Sequence, residues 1–142
     1  MNTEQPLTHL MHKSIWLMDR YADQLLTTHF SISFNRFYVL AILGTVEPTT
    51  QHALAECLNY SDAAVSRMIT HLQEENLVTQ TADPHHGRKN VITLTNAGRT
   101  LLTKCNQLLE GVFDDLLKAT NIDREHLRKD METIVTSLEQ LN

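Results

Sequence analysis

From Thr50 to Gly98 the hydrophobic pattern changes from helical to alternating, and this change constrains the fold more than any other feature. A short helical pattern, His52 to Leu58, meets a tight break at Asn59-Tyr60-Ser61. A second helical pattern, Asp62 to Asn76, leads into two β-prone runs, Leu77 to Thr81 and Asn90 to Thr95. Within them, Val78-Thr79-Gln80-Thr81 and Val91-Ile92-Thr93-Leu94-Thr95 alternate apolar with polar residues, as half-buried strands do. The segment between them runs from Ala82 to Lys89. Asp83-Pro84 and Gly87 supply the bend there, and Arg88 and Lys89 stand side by side at the turn.

Helix, turn, helix and a hairpin with a basic tip read as a winged helix-turn-helix. Upstream, Met11, Ile15, Met18, Ala22 and Leu25 recur at steps of four, three, four and three. They predict one amphipathic helix from Leu7 to Thr28, with Pro6 at its start and Trp16, Leu17 and Leu26 widening the apolar surface. Ser31-Ile32-Ser33 reads as a break. Phe34 to Leu43 is then predicted as a helix ended by Gly44, although Phe37 to Leu43 also fits a buried strand. Thr49 or Thr50 suits the cap of the third helix and Ser61 that of the fourth, whose inner face is Val65, Met68, Ile69 and Leu72. After the hairpin, Leu101, Cys105, Leu108, Val112 and Leu116 keep helical spacing, with Gly111 a possible kink. A last stripe of Leu127, Met131, Ile134, Leu138 and Leu141 follows a break at Asn121-Ile122-Asp123.

The expected fold is thus mainly α with a small β-hairpin wing. Residues 1–33 are read as an N-terminal dimerisation helix, 34–98 as the winged helix-turn-helix DNA-binding unit, and 99–142 as C-terminal dimerisation helices. The terminal helices are apolar on too many faces to cover only the small central unit. An intertwined homodimer is expected, against a monomer that folds its termini together.

Charge limits the choice of partner. The net charge of −5 argues at first against nucleic acid. It is uneven, however: residues 1–49 carry −1, residues 50–109 carry 0 and residues 110–142 carry −4. Few phosphate contacts per protomer are therefore expected, and useful affinity requires a dimer. No apolar run reaches bilayer length, and MNTEQPLTHLMHKS lacks the basic start and continuous apolar core of a signal peptide. The expectation is a cytoplasmic protein with no membrane partner. Cys57 and Cys105 read as small buried thiols within helical stripes. The eight histidines include His9 with His12 and the adjacent His85-His86, yet no HExxH or CxxC spacing occurs. No metal, cofactor or catalytic constellation is expected, and the protein reads as no enzyme.

A recognition helix needs short side chains in its first turn and hydrogen-bonding groups pointing outward. Ala63 and Ala64 supply the closeness, while Ser61, Ser66 and Arg67 supply donors. His71 lies about one turn beyond Arg67. Asp62 is unfavourable near phosphate but can accept from a cytosine amino group; its other reading is a helix-dipole residue. At the wing, Arg88 and Lys89 stand where a side chain can enter a minor groove, with His85 and His86 adding charge below about pH 6.5.

The segment resembles the MarR family of bacterial transcriptional regulators. The matching residues are Phe37-Tyr38-Val39-Leu40, Ala53-Leu54-Ala55 through Leu58, Ser61 with Val65-Ser66-Arg67, Leu72 and Asn76-Leu77-Val78. Asp83-Pro84, Arg88, Val91-Ile92-Thr93-Leu94-Thr95 and Gly98 complete the likeness. The resemblance implies a homodimer on a pseudo-palindromic operator in double-stranded DNA, with recognition helices in major grooves and wings in flanking minor grooves. It also implies repression relieved by a small lipophilic or anionic ligand. An Asp-Arg-Arg pattern is common at the family's wing tip. This chain has His86-Gly87-Arg88 instead, so only Arg88 inherits the minor-groove role and the usual bracing acid is missing. An effector pocket would be lined by Trp16, Arg20, Phe34 and Tyr38; the same aromatics also suit a plain core, with Arg20 in a surface ion pair. A protein-interaction module that keeps the winged shape without binding DNA is the competing function, and the acidic balance favours it.

Overall fold

The computed structural model describes residues 4–87 and 89–141. Helices α1 (Leu7–Phe30), α2 (Phe34–Val46), α3 (Gln51–Leu58) and α4 (Asp62–Glu74) precede strands β1 (Val78–Ala82) and β2 (Asn90–Leu94). Helices α5 (Asn96–Thr120) and α6 (Arg124–Glu139) complete the chain. The fold is mainly α with a two-stranded antiparallel wing, as the periodicity predicts. The residues fall into two compact units, Met1–Cys105 and Asn106–Asn142.

Local chemistry sets most of the boundaries. Ser33, Thr50, Ser61 and Asp123 each accept a backbone N–H at the start of α2, α3, α4 and α6. The turns after α1, α3, α4 and α5 pass through Ser31, Asn59, Asn76 and Asn121, all with φ between 53° and 57°. Three of the four are asparagine, whose short polar side chain tolerates the left-handed region.

The core of the first unit joins every element before α5. Leu26 of α1, Leu40 and Leu43 of α2, Leu54 of α3, Val65, Ile69 and Leu72 of α4 and Ile92 of β2 are all almost wholly shielded from water. Each such side chain stabilises the fold by about 1.5–3 kcal/mol relative to its exposed state. The strands pair with Val78 opposite Leu94 and Ala82 opposite Asn90. A third backbone segment joins them. Thr49 exchanges hydrogen bonds with Ile92, at 3.3 Å and 2.7 Å, and ties the α2–α3 loop to the wing.

Two expectations need correction. First, α2 passes through Gly44 and ends at Val46. A Cβ there would stand 3.1 Å from Leu102 Cδ2 and 3.4 Å from Leu94 Cδ1, a tight fit against the ends of two side chains. Second, Cys57 is exposed and only Cys105 is buried. In a helix as short as α3 the inward face is filled by Leu54, Ala55 and Leu58, and position 57 turns away from it. Burial pushes the Cys105 thiol up. Of the predicted stripe of α1, Ala22 is buried and Met11 and Leu25 are half-buried. Ile15, Trp16, Leu17 and Met18 remain exposed.

In the second unit α6 has no buried residue, and Met131, Ile134 and Val135 are exposed. Arg124 at its start pairs with Asp114 and, at 2.6 Å, with Glu110. Gly111 does not break α5, and a Cβ there would meet nothing within 4 Å.

Candidate nucleic-acid interface

The head of α4 is built by Ser61, whose hydroxyl accepts from Ala64 N–H at 3.1 Å. Val65, Ile69 and Leu72 fix the opposite face in the core, and Met68 is half-buried beside them. This anchoring leaves Asp62, Ala63, Arg67 and His71 exposed along the outer face, while Ala64 and Ser66 are half-buried at its edge. His71 lies 3.4 Å from Glu74, so its ring is engaged along the helix itself. Ser61→Ala should lower the unfolding free energy by about 1 kcal/mol, read as a shifted thermal midpoint.

Two ties that sequence reasoning missed hold the helix at its ends. Arg36 of α2 pairs with Glu75, just beyond the last turn of α4. At the other end the His52 ring of α3 contacts both carboxylate oxygens of Asp62, at 3.1 Å and 3.3 Å. Asp62 therefore faces an imidazole. No local sequence signal marks either pair, because each joins different elements.

The wing tip is internally braced. Asp83 N–H donates to Lys89 O at 2.7 Å, and Lys89 N–H donates to His86 O at 2.9 Å. The Asp83 carboxylate accepts from His85 N–H at 2.9 Å, an Asx turn that orders the bend from within. His86 and Lys89 are exposed, and Arg88 lies outside the described residues. The wing base is held by Glu47, whose carboxylate accepts from Leu94 N–H at 2.7 Å and pairs with Arg99.

The four effector-pocket candidates form two pairs. Arg20 lies over the Trp16 ring on α1, 5.5 Å from its centroid. Phe34 and Tyr38 stack on α2 with centroids 6.1 Å apart. Trp16 is 58% exposed and Tyr38 40%, so neither is a plain core residue. A cavity of about 410 Å³ lies instead against Phe30, Asn96, Ala97, Thr100, Leu101 and Lys104. Among the described residues no group of three or more His, Cys, Asp or Glu is placed to hold a metal ion. No helix among them is long and apolar enough to cross a membrane.

Residues 30–89 match the family model described as MarR family. Over 92 residues the chain is 32% identical to an uncharacterized HTH-type transcriptional regulator from Bacillus cereus, covering 62% of this chain and 60% of that protein. The chain thus spans about 60% of the length of such curated relatives. The apo form of wild-type MarR from E. coli superposes with a TM-score of 0.79 at 23% identity, over 96% of this chain and 98% of that one. MepR from S. aureus, in its complex with DNA, gives a TM-score of 0.74 at 21% identity, over 96% and 99%.

Proposed function

We propose that this chain is a MarR-family winged-helix protein and a dimeric, sequence-specific transcriptional regulator of DNA in the cytoplasm, a reading supported by the family match over residues 30–89 and by the shared fold. The observation that carries this reading is the head of α4. It is capped by Ser61, anchored from behind, and open to solvent at Asp62, Ala63 and Arg67. Ser61, Asp62, Ala63, Ala64, Ser66, Arg67 and His71 are assigned to the major groove, and His86, Arg88 and Lys89 to the flanking minor groove. The second copy of the chain covers the apolar faces that α1 and α6 each leave exposed, at Ile15, Leu17 and Met18 and at Met131, Ile134 and Val135. The regulator acts as a repressor released by a lipophilic or anionic ligand. Trp16, Arg20, Phe34 and Tyr38 provide aromatic faces and one cation for it.

Footprinting of the DNA upstream of its own gene, with a salt titration, tests the reading. A protected palindrome is expected, with affinity falling as salt rises. No protection at low salt rejects it. The acidic balance favours the competing protein-interaction module, whose mark would be salt-insensitive capture of a protein with no DNA footprint. Arg88→Ala should weaken DNA binding about tenfold while the dimer persists by light scattering. Unchanged affinity rejects the wing assignment.

A further inference from the structure

Asp62 is an awkward residue at the head of a DNA-reading helix, because a carboxylate there repels phosphate. The structure sets His52 against it. His52 is the second residue of α3, and both side chains are open to solvent, 71% and 61% exposed. Nδ1 lies 3.1 Å and 3.3 Å from the two Asp62 oxygens, and Nε2 lies 3.6 Å from Glu56 Oε1. From α4 the facing charge is Asp62 and from α3 itself it is Glu56; α2 and β2 pack against α3 and bring no charged group to the ring among the described residues.

We propose that His52 is a positioning residue for the DNA-reading surface, which in its charged form holds and neutralises Asp62. The inference rests on the regulator reading above. With His52 protonated, the three side chains of His52, Glu56 and Asp62 sum to −1; with it neutral they sum to −2, beside the surface that meets phosphate. The hydrogen bond to Asp62, then its charge, then the charge of Glu56 hold the imidazole above its ordinary range. The sign follows from that direction. The stabilising contact is fully present below the ordinary imidazole value and is lost as pH rises through the raised one. DNA affinity therefore falls with rising pH. One added charge about 4–8 Å from phosphate in water changes affinity about two- to fivefold per half-site, hence about 4- to 25-fold for a dimer on two half-sites.

The test measures affinity between pH 5.5 and 8.5 for a duplex that the wild-type protein selects from a random-sequence pool. The other histidines of the reading surface, His71, His85 and His86, are the same in every variant, so the difference between variants isolates His52. His52→Gln should remove part of the pH dependence, Asp62→Asn should move that part to lower pH, and the double variant should have the same pH dependence as His52→Gln alone. In the free protein, the His52 ring signal followed by NMR should titrate at lower pH in Asp62→Asn. A wild-type pH slope in His52→Gln, or a His52 titration indifferent to Asp62→Asn, overturns the inference and leaves the regulator reading intact. A protein that selects no duplex at any pH overturns the regulator reading, and this inference with it.

Discussion

Gly98→Ala should lower the unfolding free energy by about 3 kcal/mol, the largest stability loss expected from a single methyl group in this chain. A Cβ at Gly98 would stand 2.0 Å from Leu77 O and 3.0 Å from Leu77 C. Neither atom belongs to a side chain that can swing aside. Leu77 is held from both directions, since its N–H donates to Leu72 O at 2.8 Å and its O accepts from Thr95 N–H at 3.0 Å. Gly98 is equally fixed. Its N–H donates to Thr95 Oγ1 at 3.0 Å, and that hydroxyl donates to Asn76 O at 2.6 Å. The exit of α4 and the start of α5 are therefore knotted through backbone groups, and an added methyl must break part of the knot. Urea unfolding should show a lower midpoint with an unchanged slope. Gly111→Ala is the matched control: its Cβ meets nothing within 4 Å, so helix propensity alone should raise stability by up to about 1 kcal/mol. A loss at Gly98 smaller than about 0.5 kcal/mol, within the range of ordinary surface substitutions, would contradict the packing argument.

What could be read from the sequence was local. Helix periodicity, the caps at Thr50 and Ser61 and the hairpin all depend on residues within a few positions of one another. They place the helix-turn-helix and the wing without any knowledge of long-range contacts. The failures share the opposite character. Gly44 reads as a helix stop in isolation, but in the fold it is an interior position of α2 beside Leu94 and Leu102 from far along the chain. The Thr49–Ile92 bridge, the Arg36–Glu75 pair and the His52–Asp62 contact each join different elements, and no spacing rule announces them. Cys57 was misplaced because α3 is only 8 residues long, too short for an apolar stripe to fix which flank faces inward. The wing tip shows a subtler limit. Comparison with a family pattern points to a missing brace, whereas Asp83 orders the tip through its own Asx turn.

Glu47→Ala carries the second large effect, a loss of about 2 kcal/mol joined to a change in how the wing is aimed. Glu47 lies in the loop between α2 and α3, and its side chain is only 11% exposed. Its carboxylate accepts from Leu94 N–H at 2.7 Å and pairs with Arg99. These two contacts differ in weight. Arg99 is 53% exposed, so water and salt screen its attraction, and its share is small. Leu94 is buried, and without Glu47 its N–H loses a charged acceptor, which costs about 1–3 kcal/mol. Glu47→Gln separates the two contacts: an amide oxygen still accepts from Leu94 but offers Arg99 no charge, so most of the stability should return. If the glutamine variant is as unstable as the alanine variant, the charge pair and not the Leu94 hydrogen bond carries the effect. The consequence for DNA follows from where Leu94 sits. It is the last residue of β2, at the base of the wing, while the Thr49–Ile92 bridge stays in place beside it. The alanine variant should therefore keep its hairpin but hold it less firmly relative to α4. On an operator, hydroxyl-radical protection of the flanking minor groove should fade first, with major-groove protection retained and affinity down about tenfold. Loss of both protections together would mean that Glu47 supports the whole reading surface and not the wing alone.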